Sequence, residues 1–330
     1  MMKRMLRPAA ALAAAAALAT GAYAAELVPV GETVGIEVRT EGMLVAGLTG
    51  VETGSGEVCP AADSGIQPGD VIVRLGSHEI STSEDFSGAA AELDGSDVSV
   101  TLERGGKLIQ YTVSPALASS GEWRLGLLLR DGVAGIGTVT YYDPSTGLYG
   151  ALGHSINDAE SGAVLPLGGG VITEAAVSGV LPGRAGKAGE LHGVFDTSAE
   201  IGTVLLNTEQ GIFGRTREWA GRRPIPAAEE GQIADGTAVI LANVSGDETA
   251  EYDVTIAKSG DKLLVTVTDP ELLSATGGIV QGMSGCPIIQ DGKLVGAVTH
   301  VLVNDPTRGY GIPIYSMLRA SEACTRSEAA

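Results

Sequence analysis

Residues Gly277 to His300 read GGIVQGMSGCPIIQDGKLVGAVTH, and this run constrains the fold more than any other part of the chain. Ser284 sits between Gly282-Met283 and Gly285-Cys286-Pro287, a setting in which a strand-to-loop turn exposes a hydroxyl. Behind it come Pro287-Ile288-Ile289, then Gln290-Asp291-Gly292-Lys293, then Leu294-Val295-Gly296-Ala297-Val298. That order reads as strand, tight Asp-Gly turn and strand. A hairpin directly behind the serine excludes a strand–serine–helix elbow, which also needs Gly at position 286, where this chain has Cys. Elsewhere Val, Ile, Leu and Ala occur in short runs broken by Gly, Pro and Asp. Such runs suit many short strands closed into antiparallel barrels better than helical layers.

A serine hydroxyl is a weak nucleophile until a base takes its proton and donors hold the charge that develops on the attacked carbonyl. The turn supplies the exposed oxygen, and the N–H groups of Gly282 and Ser284 are the candidate oxyanion hole. The base must come from four histidines. His78 follows a strand at a turn, and His192 lies in a Gly-rich loop. His300 closes the hairpin behind the serine, where Thr299 and His300 are expected to form the wall of a substrate cleft. His154, in Gly150-Ala151-Leu152-Gly153-His154, stands at a strand end where Gly153 allows a sharp turn, and it is the preferred base. Spacing leaves the third, acidic role open. Asp269, fifteen residues before Ser284, competes with Asp158 and Asp305, and it equally suits a helix N-cap before Pro270-Glu271. Cys286, two residues past the serine, reads as structural. The run Ser-Gly-x-Pro followed by a hairpin resembles the nucleophile loop of chymotrypsin-fold proteases.

Lys3, Arg4 and Arg7, an Ala/Leu-rich run from Ala9 to Ala19, and Ala22-Tyr23-Ala24 form an export signal expected to be cleaved after Ala24. An uncleaved anchor is the alternative reading of residues 1–24. Losing those three basic residues takes the formal charge from −19 to −22, a surface that repels nucleic acid and anionic lipid. Four basic residues, Arg215, Arg217, Arg222 and Arg223, gather near prolines and read as a solvated loop. Three cysteines make no disulfide framework. No CxxC, HExxH, P-loop or GxGxxG pattern supports a metal or nucleotide site, so no cofactor and no metal are expected.

Residues 25–118 read as one small domain and 119–330 as a second. In the first, Ala61 to Gly76 contains SGIQPGDVI, and a helix is expected over Ser83 to Leu93, capped by Ser83 or Thr82. A hairpin follows around Arg104-Gly105-Gly106-Lys107. This order resembles a permuted PDZ domain. The resemblance implies that an extended peptide, or a segment of the chain itself, adds as a strand, with the loop Thr33, Val34, Gly35 and Ile36 receiving a carboxylate.

The motifs GALGHSI, TDPELL and GGIVQGMSGCPIIQDGKLVGAVTHVLVNDPTRGYGI are similar to those of the stage IV sporulation protein B peptidases. That resemblance implies a mainly β chain, a PDZ domain (α+β) followed by a chymotrypsin-like double β-barrel serine peptidase. It implies His154 as base, Ser284 as nucleophile and Asp269 as the orienting acid. It further implies an exported endopeptidase that acts in the space between forespore and mother cell. There it would clip a membrane-anchored inhibitor of an intramembrane protease, activating a sigma factor during sporulation, and would cleave itself near its N-terminus. A quality-control protease of the HtrA type is an alternative, but it would carry the domains in the opposite order. A catalytically inactive PDZ scaffold is another.

Overall fold

A computed structural model describes residues 25–158 and 162–327, so the expected export signal lies outside the described residues. The chain is mainly β. It opens with β1 (Glu26–Pro29) and β2 (Thr33–Leu48), which runs without interruption through Gly42 at φ +117°. A small α+β unit follows, made of β3 (Val51–Thr53), β4 (Gly56–Val58), α1 (Pro60–Ser64), β5 (Val71–Leu75), β6 (His78–Glu79), α2 (Ser83–Ala91), β7 (Val98–Arg104) and β8 (Lys107–Val113). Two short strands, β9 (Ala116–Leu117) and β10 (Trp123–Arg124), lead out of it.

Local chemistry fixes this unit. Thr82 caps α2 as half of a capping box: it accepts the Asp85 N–H, and the Asp85 carboxylate accepts the Thr82 N–H at 2.9 Å. Asp70, buried at the end of the Pro68-Gly69 turn, receives Nε and Nη2 of Arg104 at 2.5 and 2.7 Å and the Gln67 N–H at 2.8 Å. Turn and hairpin are thereby pinned together by a bidentate pair. Met43, Val45, Ile72, Leu75, Val100 and Leu102 form the core beneath.

The next strands are β11 (Leu127–Asp143), β12 (Leu148–Ala151), β13 (Gly169–Leu181), β14 (Glu190–Thr208), β15 (Gly211–Thr216) and β16 (Ile225–Pro226). The first half of β2 pairs with β11 on one edge and β13 on the other. The pairings β11–β12, β12–β15, β15–β14 and β14–β13 then complete a closed six-strand circuit around Val34, Ile36, Val139, Ile172 and Ile212. The division expected at residue 118 is therefore redrawn. Residues 33–39 are a strand of this barrel, and β1 adds to β11 at Val28↔Tyr142.

A second barrel closes in the order β17 (Gly236–Ser245), β18 (Glu248–Ser259), β19 (Lys262–Val267), β22 (Asp305–Pro313), β21 (Lys293–Leu302) and β20 (Pro287–Gln290). Ile240, Val254, Val265, Ile288 and Ala297 fill it. The Asp-Gly turn expected from sequence joins β20 to β21, with Gln290 opposite Lys293 and positive φ at both Asp291 and Gly292. α3 (Pro270–Thr276) lies between β19 and the nucleophile loop. α4 (Ile314–Ser327) ends the described chain, its Ile314 and Met317 buried in the second barrel's core and Met317 reaching Gly211 of the first.

Candidate active site

Two loops, one from each barrel, meet over a single buried residue of β11. After β12 the chain passes through Leu152 at φ +67° and Gly153 at φ +70° before reaching His154. Left-handed backbone at a Leu is strained, and it is held here by burial of the side chain and by the Leu152 N–H donating to the Thr138 carbonyl at 3.1 Å. A side chain at Gly153 would sit 2.9 Å from Thr299 Cγ2 and 3.0 Å from Ile312 Cγ2, so only glycine lets this turn press against the second barrel.

The nucleophile loop approaches the same point. Gly282 and Gly285 both have positive φ, and a methyl at Gly285 would lie 2.0 Å from the Thr138 carbonyl oxygen. Thr138 donates its N–H to the Ser284 carbonyl at 3.1 Å and its hydroxyl to the Gly282 carbonyl at 2.8 Å. Gly285 N–H donates to Val298 at 2.7 Å, and Val298 N–H donates to Cys286 at 2.9 Å. Among the described residues, the N–H groups of Gly282 and Ser284 meet no acceptor, which leaves both donors available at the apex of the turn.

His154 and Ser284 line one cleft of about 470 Å³, together with His300 and the apolar side chains of Ile36, Ile136, Leu152 and Ile156. Nδ1 of His154 lies 2.8 Å from the Ser155 carbonyl oxygen. A carbonyl only accepts, so Nδ1 carries the proton and Nε2 keeps the basic lone pair. Burial lowers the pKa of His154, partly offset by that hydrogen bond. The His300 ring is 4.9 Å away and tilted by 41°; its pKa is lowered by burial, then by the neighbouring His154 and Lys262. Cys286 is fully buried, with Sγ 3.8 Å from Thr138 Oγ1, and burial pushes its thiol up to about 12. It stays protonated and faces away from the cleft chemistry.

Three sequence expectations are corrected by this geometry. Asp269 is the N-cap of α3: its Oδ1 accepts the N–H groups of Glu271 at 2.9 Å and Leu272 at 3.0 Å, and Oδ2 accepts that of Asp253 at 3.4 Å. It does not line the cleft, and among the described residues no carboxylate contacts His154; the imidazole is oriented by a carbonyl instead. Asp305 accepts from Thr307, and Asp158 is buried in the loop beyond His154. Thr299 is buried with its hydroxyl on the Tyr310 carbonyl, so only His300 of that pair reaches the cleft, as strand alternation requires.

Thr33, Val34, Gly35 and Ile36 are no peptide-receiving loop, because both edges of that strand are already hydrogen-bonded, to β11 and β13; Ile36 lines the active-site cleft instead. The groove of the α+β unit lies elsewhere. Phe86, Ala90 and Leu93 on or just after α2 face Leu125, Leu127 and Leu128 across a cleft of about 310 Å³. The Ser155 carbonyl and Thr138 escaped the sequence reading, since nothing distinguishes Thr138 in the run GIGTVTYYD.

The family model described as SpoIVB peptidase S55 matches residues 121–318, and that of the PDZ domain matches residues 55–114. The PDZ domain of the SdrC-like protein from Listeria monocytogenes is 23% identical, with 28% of this chain and 93% of that one covered and a TM-score of 0.23. The Rv3671c protease of M. tuberculosis in its active form is 14% identical, with 57% and 74% covered and a TM-score of 0.33. A Clostridium perfringens protein named provisionally as a zinc metalloprotease is 32% identical over 68 residues, and the chain spans 20% of that relative's length. Among the described residues no three His, Cys, Asp or Glu side chains gather to hold a metal ion.

Proposed function

The chain belongs to the SpoIVB peptidase S55 family and carries a PDZ domain, and from that premise we propose that it is an exported serine endopeptidase acting through His154 and Ser284. The observation that carries the reading is the shared cleft: His154, whose Nδ1 is held by the Ser155 carbonyl so that Nε2 keeps its lone pair, and Ser284, at an apex between Gly282 and Gly285, face the same space. Nε2 of His154 takes the Ser284 proton as the hydroxyl attacks a peptide carbonyl. The N–H groups of Gly282 and Ser284 receive the oxyanion. The protonated imidazole then delivers its proton to the leaving amine, and water, deprotonated by the same nitrogen, releases the acyl group. The Ser155 carbonyl holds the ring in the required tautomer throughout.

The biological role follows the family resemblance. The substrate is a membrane-anchored regulatory protein outside the cytoplasm, whose cleavage releases an intramembrane protease and a sigma factor during sporulation. Self-cleavage near the N-terminus belongs to the same reading. It is supported by the family assignment and by the basic, then apolar, then Ala-x-Ala leader at residues 1–24.

A fluorophosphonate probe tests the chemistry. Labelling should be lost in Ser284→Ala and His154→Ala and kept in Cys286→Ala. Labelling that survives Ser284→Ala refutes the assignment of the nucleophile.

A further inference from the structure

The edge of β11 that faces the catalytic cleft is unpaired over most of its length. β2 covers one edge from Leu127 to Thr138, whereas β12 covers the other only from Val139 onward. Among the described residues no strand pairs with that second edge between Leu127 and Gly137. Thr138 directs its N–H and carbonyl to this side, to Ser284 and Leu152, while Val139 directs both to the opposite side, to Glu32 and Gly31. Antiparallel alternation then aims the backbone groups of Ile136 and Ala134 at the open edge.

Both ends of this edge open into clefts. Val133 to Ile136 line the active-site cleft beside His154 and Ser284. Leu125 to Leu128 line the groove against α2. There Gly126 has φ +79°, and the N–H groups of Leu125 and Gly126 meet no acceptor among the described residues. Successive free N–H groups around a left-handed residue form an anion-receiving concavity. Arg124 lines the same groove with its guanidinium paired to Glu122 at 2.6 Å, so the two N–H groups are the donors left for a carboxylate.

We propose that this edge is one continuous track for the substrate, so that the enzyme cuts a free C-terminal tail at a set distance from its end. The proposal rests on the proteolytic reading above and adds a substrate class to it. The polarity is consistent. A peptide running antiparallel to β11, with its scissile bond at Ser284, proceeds toward its own C-terminus as β11 recedes from Ile136 to Gly126. Its terminal carboxylate arrives at the N–H groups of Leu125 and Gly126, and its last side chains fall between Leu128 and Phe86. At about 3.4 Å per residue the tail past the cut is about ten residues long.

The full chain is incubated with peptides from a protein digest, in free-acid and C-terminally amidated forms, and the C-terminal products are sequenced by mass spectrometry. Product lengths should cluster near ten residues. Amidated peptides should be cut about tenfold more slowly, and Leu128→Glu should abolish the clustering. If Ser284 takes the fluorophosphonate but product lengths are unrelated to the distance from the C-terminus, or acid and amide are cut alike, or no tailed peptide is cut, the track is refuted and the proteolytic reading survives. Absence of both labelling and cleavage defeats the proteolytic reading and the track with it.

Discussion

At His154 the protonation state is decided by two neighbours acting in opposite directions. Burial disfavours the imidazolium, and the Ser155 carbonyl only partly restores it, so the pKa lies below the ordinary 6.5. The base form is the active one and a lowered pKa preserves it to lower pH, so log kcat/KM should fall only as pH drops through a value under 6.5. A break at or above about 6.5 would mean a base that burial does not depress. Thr138 makes a second prediction. Its hydroxyl holds the Gly282 carbonyl and so sets the direction of the neighbouring N–H groups. Thr138→Val keeps the shape and removes the bond, which should lower kcat about three- to tenfold at nearly constant KM, and Thr138→Ser should restore it. A matching loss in the Ser variant would point to packing instead. For Asp269 the cap makes the forecast. Asp269→Ala should lose about 1 kcal/mol in chemical denaturation and Asp269→Asn almost nothing. Turnover abolished in a stable Asn variant would return the residue to the charge-orienting role. Sequence made the histidine and the serine legible because glycines mark forced turns. It left the third member open because a carboxylate before Pro is a good cap and a good catalytic acid alike, and only tertiary placement separates the two.

Among the elements, those fixed by neighbours in sequence are the ones that were readable. The capping box of α2, the Asp-Gly hairpin of β20 and β21 and the Pro68-Gly69-Asp70 turn each depend on residues a few positions apart. The Asp70–Arg104 pair does not, and it ties the turn to the far end of β7. Asp70→Ala removes the acceptor of the Gln67 N–H and the counter-charge of the Arg104 guanidinium, which keeps only the neutral Gly65 carbonyl and Tyr111 hydroxyl. It should cost about 3 kcal/mol, read as a lower unfolding midpoint of the α+β unit by Trp123 fluorescence. An unchanged midpoint would show that the pair adds nothing to that unit. The run from Thr33 to Ile36, expected as a peptide-receiving loop, is instead a strand inside the first barrel. Alternation along one strand reports that it is extended and half-buried, whereas its partners, β11 and β13, lie about a hundred residues or more away.

In the whole molecule, β2 and β11 are each shared between the α+β unit and the first barrel, so the two domains that the family models separate are joined by two paired strands rather than by a linker. Motif order along the chain could not convey this, because a strand that serves two sheets looks in sequence like a boundary. The shared pair has a consequence for dissection. Residues 119–330 alone lack the strand that closes the first barrel, leaving the edges of β11 and β13 open and Val139 and Ile172 without the cover of Val34 and Ile36. That fragment should lose its cooperative thermal transition and its fluorophosphonate labelling. An excision that respects the pairing should behave differently. Arg39 lies opposite Gly132, so replacing residues 41–130 by Asn-Gly joins β2 to β11 through a tight turn and keeps the six-strand circuit. This shortened chain should unfold cooperatively and still label at Ser284, because Thr138, His154 and the nucleophile loop keep their supports. If the 119–330 fragment instead folds and labels as well as the intact chain, β2 is dispensable to the barrel and the strand-sharing account of the two domains fails.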